Sequence, residues 1–183
     1  FSFDATSANG GAVSIAADSG LNYTPPAGLE GTDAFDYIIQ DVDGFIDAAR
    51  VFIQVSAVIW FIDKTAAAGG DGRLGSPFNS LGAYNAGAAD EAGDVIFVGS
   101  GAYTGGIALL NSQKFVGQGA SAALATIAGI TTPPPFSKTL PATGGAKPTL
   151  TSGGVGVRLA ANNTIRGLTV SNTGGAGLFG SGV

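Results

Sequence analysis

The chain has 183 residues, enough to bury a core, with 45% hydrophobic and only 11% charged side chains, 31 Gly, and no Cys, His or Met. That inventory excludes a disulfide framework, a Cys nucleophile and a His base. No apolar run approaches the ~20 residues of a membrane-spanning helix, and a net charge of −5 with eight scattered basic residues leaves no footprint for nucleic acid.

The charge is unevenly placed. All 13 acidic residues lie at or before Asp94. Residues 1–94 carry them with three basic residues, a net of −10, whereas residues 95–183 carry five basic residues and no carboxylate, a net of +5. Such a split predicts two modules built by different rules. The first residue is Phe rather than Met, which reads as an excised or processed piece.

Residues 1–56 read as short antiparallel strands. Val13 and Ile15, then Phe35, Tyr37 and Ile39, then Val51, Ile53 and Val55, alternate with small or polar residues at the period of a half-buried strand. Between them stand "NGG", "DSG", "PPAG" and "DVDG", each a turn sequence. The stretch "YTPPAGLEGTDAFDYIIQDVDG" followed by "ARVFIQV" resembles the cadherin-like or Ig-like repeats found in tandem on bacterial surface proteins. The matching pieces are Tyr23–Pro25, Gly31–Asp33, Phe35–Tyr37 and Asp41–Gly44. The resemblance implies a β-sandwich whose opening strands would precede Phe1, so the sandwich is expected to be partial.

Residues 57–183 follow with almost no linker. "VIWFID" is an apolar strand and "AAAGGDGRLG" a loop. Ser76 before Pro77 predicts a helix start, with a short helix over Pro77–Ala88 and Phe78, Leu81 and Tyr84 on one face. Beyond Asp94, short strands with Gly, Asn or Ser at the bends recur, and no further helix is expected. "GDVIFVGSGAY", "QKFVGQG" and "NNTIRGLTVSNTGGAGLFGSGV" resemble the first rungs of right-handed parallel β-helices, with "SPFNSL" resembling their capping helix. The Pro-rich run from Thr131 to Pro148 cannot join a central ladder and is expected to loop out. The fold class is therefore all-β: a partial Ig-like or cadherin-like sandwich over residues 1–56, then a parallel β-helix over residues 57–183 with a short N-terminal capping helix.

Candidate sites are few. Asp41, Asp43 and Asp47 around Gly44 are oxygen donors of the kind calcium requires, against the alternative of a plain hairpin turn. Asp71 is a weaker candidate of the same sort. Trp60 is a sugar platform or, as the better reading, a seal between the two cores. Asn162 and Asn163 suit a coil bend, where Asn tolerates a left-handed backbone. Ser112 and Lys114 come nearest to a Ser–Lys pair. Residues 95–183 supply no Asp, Glu or His, so glycoside hydrolysis by a carboxylate pair is not expected there. The resulting expectation is a non-enzymatic structural fragment of a large bacterial protein at the cell surface or outside the cell. It would serve adhesion, matrix or filament construction, with calcium as the one cofactor considered. Its partners would be neighbouring domains of the same chain, copies of itself, or surface carbohydrate, with no nucleic acid and no membrane insertion. The rival reading is the non-catalytic part of a β-helix polysaccharide-degrading enzyme. Unpaired strand edges at both ends are expected to be covered by more chain or by a neighbouring copy.

Overall fold

A computed structural model describes residues 1–130 and 137–181. The chain divides into two compact units, Phe1–Ser56 and Ala57–Val183.

In the first unit, β1 (Ser2–Phe3), β4 (Gly31–Gln40) and β5 (Ile46–Val55) form a sheet in the order β1-β4-β5, and β2 (Ala12–Ile15) pairs with β3 (Leu21–Thr24) as a hairpin. Every one of these strand pairs is antiparallel. The core is small. Val13, Asp33, Ala34 and Phe35 are buried, but burial fades along the β4–β5 hairpin. Ile39 is 48% exposed, and Phe45 and Ile46 reach 75% and 70%. The alternation at Val13 and Ile15 also ends early, with Val13 buried and Ile15 exposed.

The second unit is a parallel coil. Its first turn is β6 (Ile59–Ile62). The second is β7 (Val95–Val98), β8 (Ala102–Thr104) and β9 (Ile107–Ala108). The third is β10 (Lys114–Gly117), β11 (Thr149–Ser152) and β12 (Val157–Arg158), and the fourth is β13 (Thr164–Arg166), β14 (Thr169–Thr173) and β15 (Leu178–Phe179). Corresponding strands stack in three parallel sheets, ordered β13-β10-β7-β6, β14-β11-β8 and β15-β12-β9. In the first sheet Trp60, Ile96, Phe115 and Ile165 stand in register on one face, and Phe61, Phe97, Val116 and Arg166 on the other.

Two helices differ from the sequence-based expectation. Helix α1 is Leu81–Gly87, capped by Ser80, whose side chain accepts a hydrogen bond from Ala83 N. Ser76 does not cap it. Its carbonyl closes a tight turn by accepting from Asp71 N and Gly72 N at 2.9 Å each, and Phe78 runs extended, bonded to Phe61 O. Gly72 sits in that turn at φ +84°, where a Cβ would lie 2.6 Å from both the Trp60 and Phe78 rings, so only Gly fits. Helix α2, Leu124–Ala128, was not expected at all. Leu124, Ile127 and Ala128, at i, i+3 and i+4, bury one face, and Gly129 ends the helix at φ 79°.

Helix α2 belongs to an excursion between β10 and β11. From Gly117 to Thr149 the chain takes 32 steps, where the turn below takes four from Val98 to Ala102. Residues 131–136 of the Pro-rich run lie outside the described residues, and residues 137–148 carry neither strand nor helix. The excursion covers the outer face of the first sheet, where Phe61, Val95, Phe97 and Val116 pack with Ala120, Leu124, Ile127 and Ala128. Strand β7 is consequently buried on both faces, from Val95 to Val98. Lys114 Nζ donates to Ile127 O at 2.8 Å, tying the helix end to the sheet. By the fourth turn that outer face has become Thr164 and Arg166.

Candidate functional site

The coil turns are locked by a repeated device at the entrance to the first sheet. Each of its four strands follows a residue with a left-handed backbone two positions ahead: Ala57 (φ 62°), Gly93 (φ 94°), Ser112 (φ 61°) and Asn162 (φ 59°). In three turns the next side chain accepts from the backbone N–H three residues earlier. Asp94 Oδ2 takes Glu91 N at 2.8 Å, Gln113 Oε1 takes Leu110 N at 2.8 Å, and Asn163 Oδ1 takes Ala160 N at 2.6 Å. The amides then donate to the turn below, Gln113 to Glu91 O at 2.9 Å and Asn163 to Leu110 O at 2.6 Å. Asp94 also accepts from Trp60 Nε1 at 2.8 Å. Trp60 therefore belongs to the core of the coil unit, packed on Phe78 and Tyr84 with ring centroids 6.2 and 6.5 Å away.

Beside this ladder lies a cleft of about 370 Å³, lined by Tyr84, Asp90, Ile107, Ala108, Val155 and Arg158 among others. Asn85 closes one edge through Nδ2 to Gly106 O at 2.9 Å. Asp90 Oδ2 accepts from Gln113 Nε2 at 2.6 Å, which joins the cleft to the ladder. Arg158 is exposed, its guanidinium 5.6 Å from the centre of the Phe179 ring. Tyr84 is only 2% exposed, and its hydroxyl is buried without a hydrogen-bond partner among the described residues. Burial, followed by the negative charges of Asp90 and Asp94, holds the Tyr84 hydroxyl protonated far above the ordinary tyrosine range. Asp90 acts on this hydroxyl through its charge and as a nearby acceptor, although the contact falls short of good hydrogen-bond geometry. The sequence-based reasoning missed this grouping. It separated the acids before Asp94 from the bases after it, yet the coil places Asp90 and Arg158 on one cleft. The legible clue was Asp90 itself, four residues before the conspicuous strand "DVIFVG".

In the first unit the buried acid is Asp33. Its oxygens accept from Ser7 Oγ at 2.5 Å, Tyr23 Oη at 2.6 Å, Asn9 N at 2.9 Å and Ala34 N at 2.8 Å. Burial would raise its pKa, but these four donors overcome that and hold it at about 2. Tyr23 is pushed up to about 12, first by burial and then by Asp33.

The predicted calcium ligands are not brought together. Asp41 Oδ1 accepts from Asp43 N and Phe45 N at 2.9 Å each, and Asp47 Oδ1 from Ala48 N at 2.9 Å. These are the bonds of a hairpin turn. Among the described residues no three acidic side chains gather in a metal-binding group. Asp71 is paired with Arg73 at 2.6 Å. Ser112 and Lys114 do not meet as a pair, since Lys114 Nζ is bonded to Ile127 O.

No helix among the described residues is long and apolar enough to cross a membrane. No curated protein matches the chain. A solved structure with some likeness is the family 28 exopolygalacturonase of Yersinia enterocolitica, at 15% identity and a TM-score of 0.20, with 75% of this chain and 28% of that one covered. The chain thus spans 28% of that enzyme's length, and so low a score supports no inference. Residues 2–54 match the family model of the bacterial Ig domain, so the antiparallel unit is Ig-like.

Proposed function

We propose that the chain is a construction element of a bacterial surface protein, an Ig-like domain followed by the first rungs of a right-handed parallel β-helix, acting outside the cell in adhesion, matrix or filament building and not in catalysis. The observation that carries this reading is the ladder of Asp94, Gln113 and Asn163. The same bond, repeated on successive turns, is a device for stacking more turns at fixed register, as in solenoids whose repeats touch only their neighbours. The Ig-like match over residues 2–54 supports a surface role. Neighbouring domains or further copies of the chain are its natural partners. The test has two arms. Antibodies raised against the coil unit are applied to intact cells of the source bacterium, and the full chain is incubated with acidic and neutral polysaccharides. Surface labelling with no release of reducing ends is expected. Release of reducing ends by the chain overturns the non-catalytic assignment, and labelling only after cell lysis overturns the surface assignment.

A further inference from the structure

We propose that the Ig-like unit carries tension along the chain, with Asp33 as the anchor that resists it. The direction of the strands sets the mechanics. Both β1 and β5 are antiparallel to β4 and flank it, so they run the same way. The chain therefore enters the sheet at the hairpin end of β4, where Ser2 pairs with Ile38, and leaves it at the other end, where Val55 pairs with Gly31. A pull on these two ends slides the outer strands past β4 along the strand axis. Bonds of an antiparallel ladder lie perpendicular to the strands, so sliding strains the whole row at once, whereas prising two paired neighbours apart breaks the row one bond at a time. Ten consecutive pairs, from Gly31–Val55 to Gln40–Ile46, join β4 to β5. The β1 side is the weaker seam, with two strand pairs, Ser2–Ile38 and Phe3–Tyr37. The segment after β1 extends it, through Asp4 N to Asp36 O at 2.9 Å and Ala8 N to Ala34 O at 2.8 Å. Ser7 Oγ and Asn9 N then both donate to the Asp33 carboxylate, at 2.5 and 2.9 Å. Bonds to an ionised acceptor are roughly twice as strong as neutral ones, and Asp33 is buried, so water does not replace them until the segment has moved. Asp33 thus holds the seam where the rest of it is thinnest.

This inference deepens the construction reading and rests on it for the source of the pull. Single-molecule force spectroscopy on the full chain tests it. The chain has no Cys, so introduced pairs select the pulling axis. Ser2→Cys with Ser56→Cys slides the strands, and Glu30→Cys with Ser56→Cys unzips the β4–β5 hairpin from its open end. All three side chains are exposed. Forced unfolding reports the rate of opening under load, and the length released shows which segment opened. Rupture on the sliding axis is expected at a several-fold higher force than on the unzipping axis. Equal forces on the two axes overturn the proposal, a comparison in the parent chain that needs no further variant. Ser7→Ala and Asp33→Asn, with folding checked by circular dichroism, should lower the force on the sliding axis and leave the unzipping axis unchanged. A fall of the same proportion on both axes is what a general loss of stability would give, and it overturns the role of Asp33. The measurement involves no cell, so equal forces leave the surface assignment standing, and failed surface labelling leaves a measured difference between the axes standing.

Discussion

In the Ig-like unit a single buried carboxylate draws donors from four places. Asp33 collects Ser7 and Asn9 from the first loop, Tyr23 from β3 and its own neighbour Ala34. In the coil unit each side chain of the ladder answers a backbone group three residues back, and the pattern recurs every turn. The first arrangement is a knot, in which one residue pins segments up to 26 positions apart. The second is a stitch, local in sequence and repeated. Burial differs in the same sense. Strand β5 is mostly exposed, whereas β7 is sealed on one face by the stacked turns and on the other by α2. A knot fails as a whole when its centre is removed, and a stitch fails turn by turn.

The sharpest way to break the contrast is a charge in the doubly buried strand. Ile96 is fully buried, so Ile96→Asp should cost several kcal/mol from lost burial and an unpaired charge and melt the coil unit while the Ig-like unit keeps its transition. Calorimetry reads this, and a melting point within a degree of the parent refutes the two-sided burial. A smaller loss follows from cutting one stitch. Gln113 is fully buried and holds Leu110 N, Glu91 O and Asp90. Gln113→Ala should cost about 2–3 kcal/mol, and Asn163→Ala, at a partly exposed site, about 1 kcal/mol. Equal losses at the two sites in urea melts would contradict the ordering by burial.

The knot should respond to acid. The folded pKa of Asp33, about 2, lies below its ordinary value of 3.8. The stability it contributes is therefore present above about pH 4 and disappears as pH falls through about 2. Tyr23 works at the other extreme. Its folded pKa is raised from 10.0 to about 12, so its contribution is complete below about pH 10 and lost as pH climbs through about 12. In a pH series of thermal melts the Asp33→Asn variant should show a flatter acid limb in the Ig-like transition, and an unchanged limb would refute the assignment.

Two further measurements sharpen the comparison with small effects. Ala57 bears a left-handed backbone, φ 62°, at the position Gly93 holds one turn later. Replacing it by Gly should stabilise the coil unit by about 1 kcal/mol or less, since Gly meets no Cβ penalty there. A loss of stability would show that Ala57 contributes contacts outweighing its strain. Calcium should do least. With Asp41 and Asp47 occupied by backbone N–H groups, millimolar calcium is expected to leave both melting transitions unmoved.

Much of the architecture is legible in the chain because it depends on local rules. Alternation at Phe35–Ile39 and turn chemistry at Asp41–Gly44 specify a hairpin whatever surrounds it, and "GDVIFVG", "SQKFVGQ" and "NNTIRGL" announce strands preceded by a bend. Two of the three ladder rungs are written there as well, as a residue tolerant of positive φ, Gly93 or Asn162, followed by Asp94 or Asn163, whereas Ser112 before Gln113 gives no such sign. Helix α2 could have been read from Leu124, Ile127 and Gly129, but five helical residues are too few to rise above the surrounding strand signal. The choice between Ser76 and Ser80 as helix cap rested on Phe78, which the coil requires as an extended bridge to β6.

Taken alone, then, the sequence determined the strands, their turns and the change from antiparallel to stacked construction, since each follows from periodicity and from which residues accept unusual backbone angles. Tertiary structure decided the rest, because it depends on which distant residues become neighbours. Packing of the excursion after Gly117 made β7 inaccessible on both faces. Four donors converged to make Asp33 a strong acid. The coil's return placed Asp90, Tyr84 and Arg158, up to 74 positions apart by their numbering, on one cleft. Charge and hydrogen-bonding groups act through space, and no spacing along the chain encodes that distance.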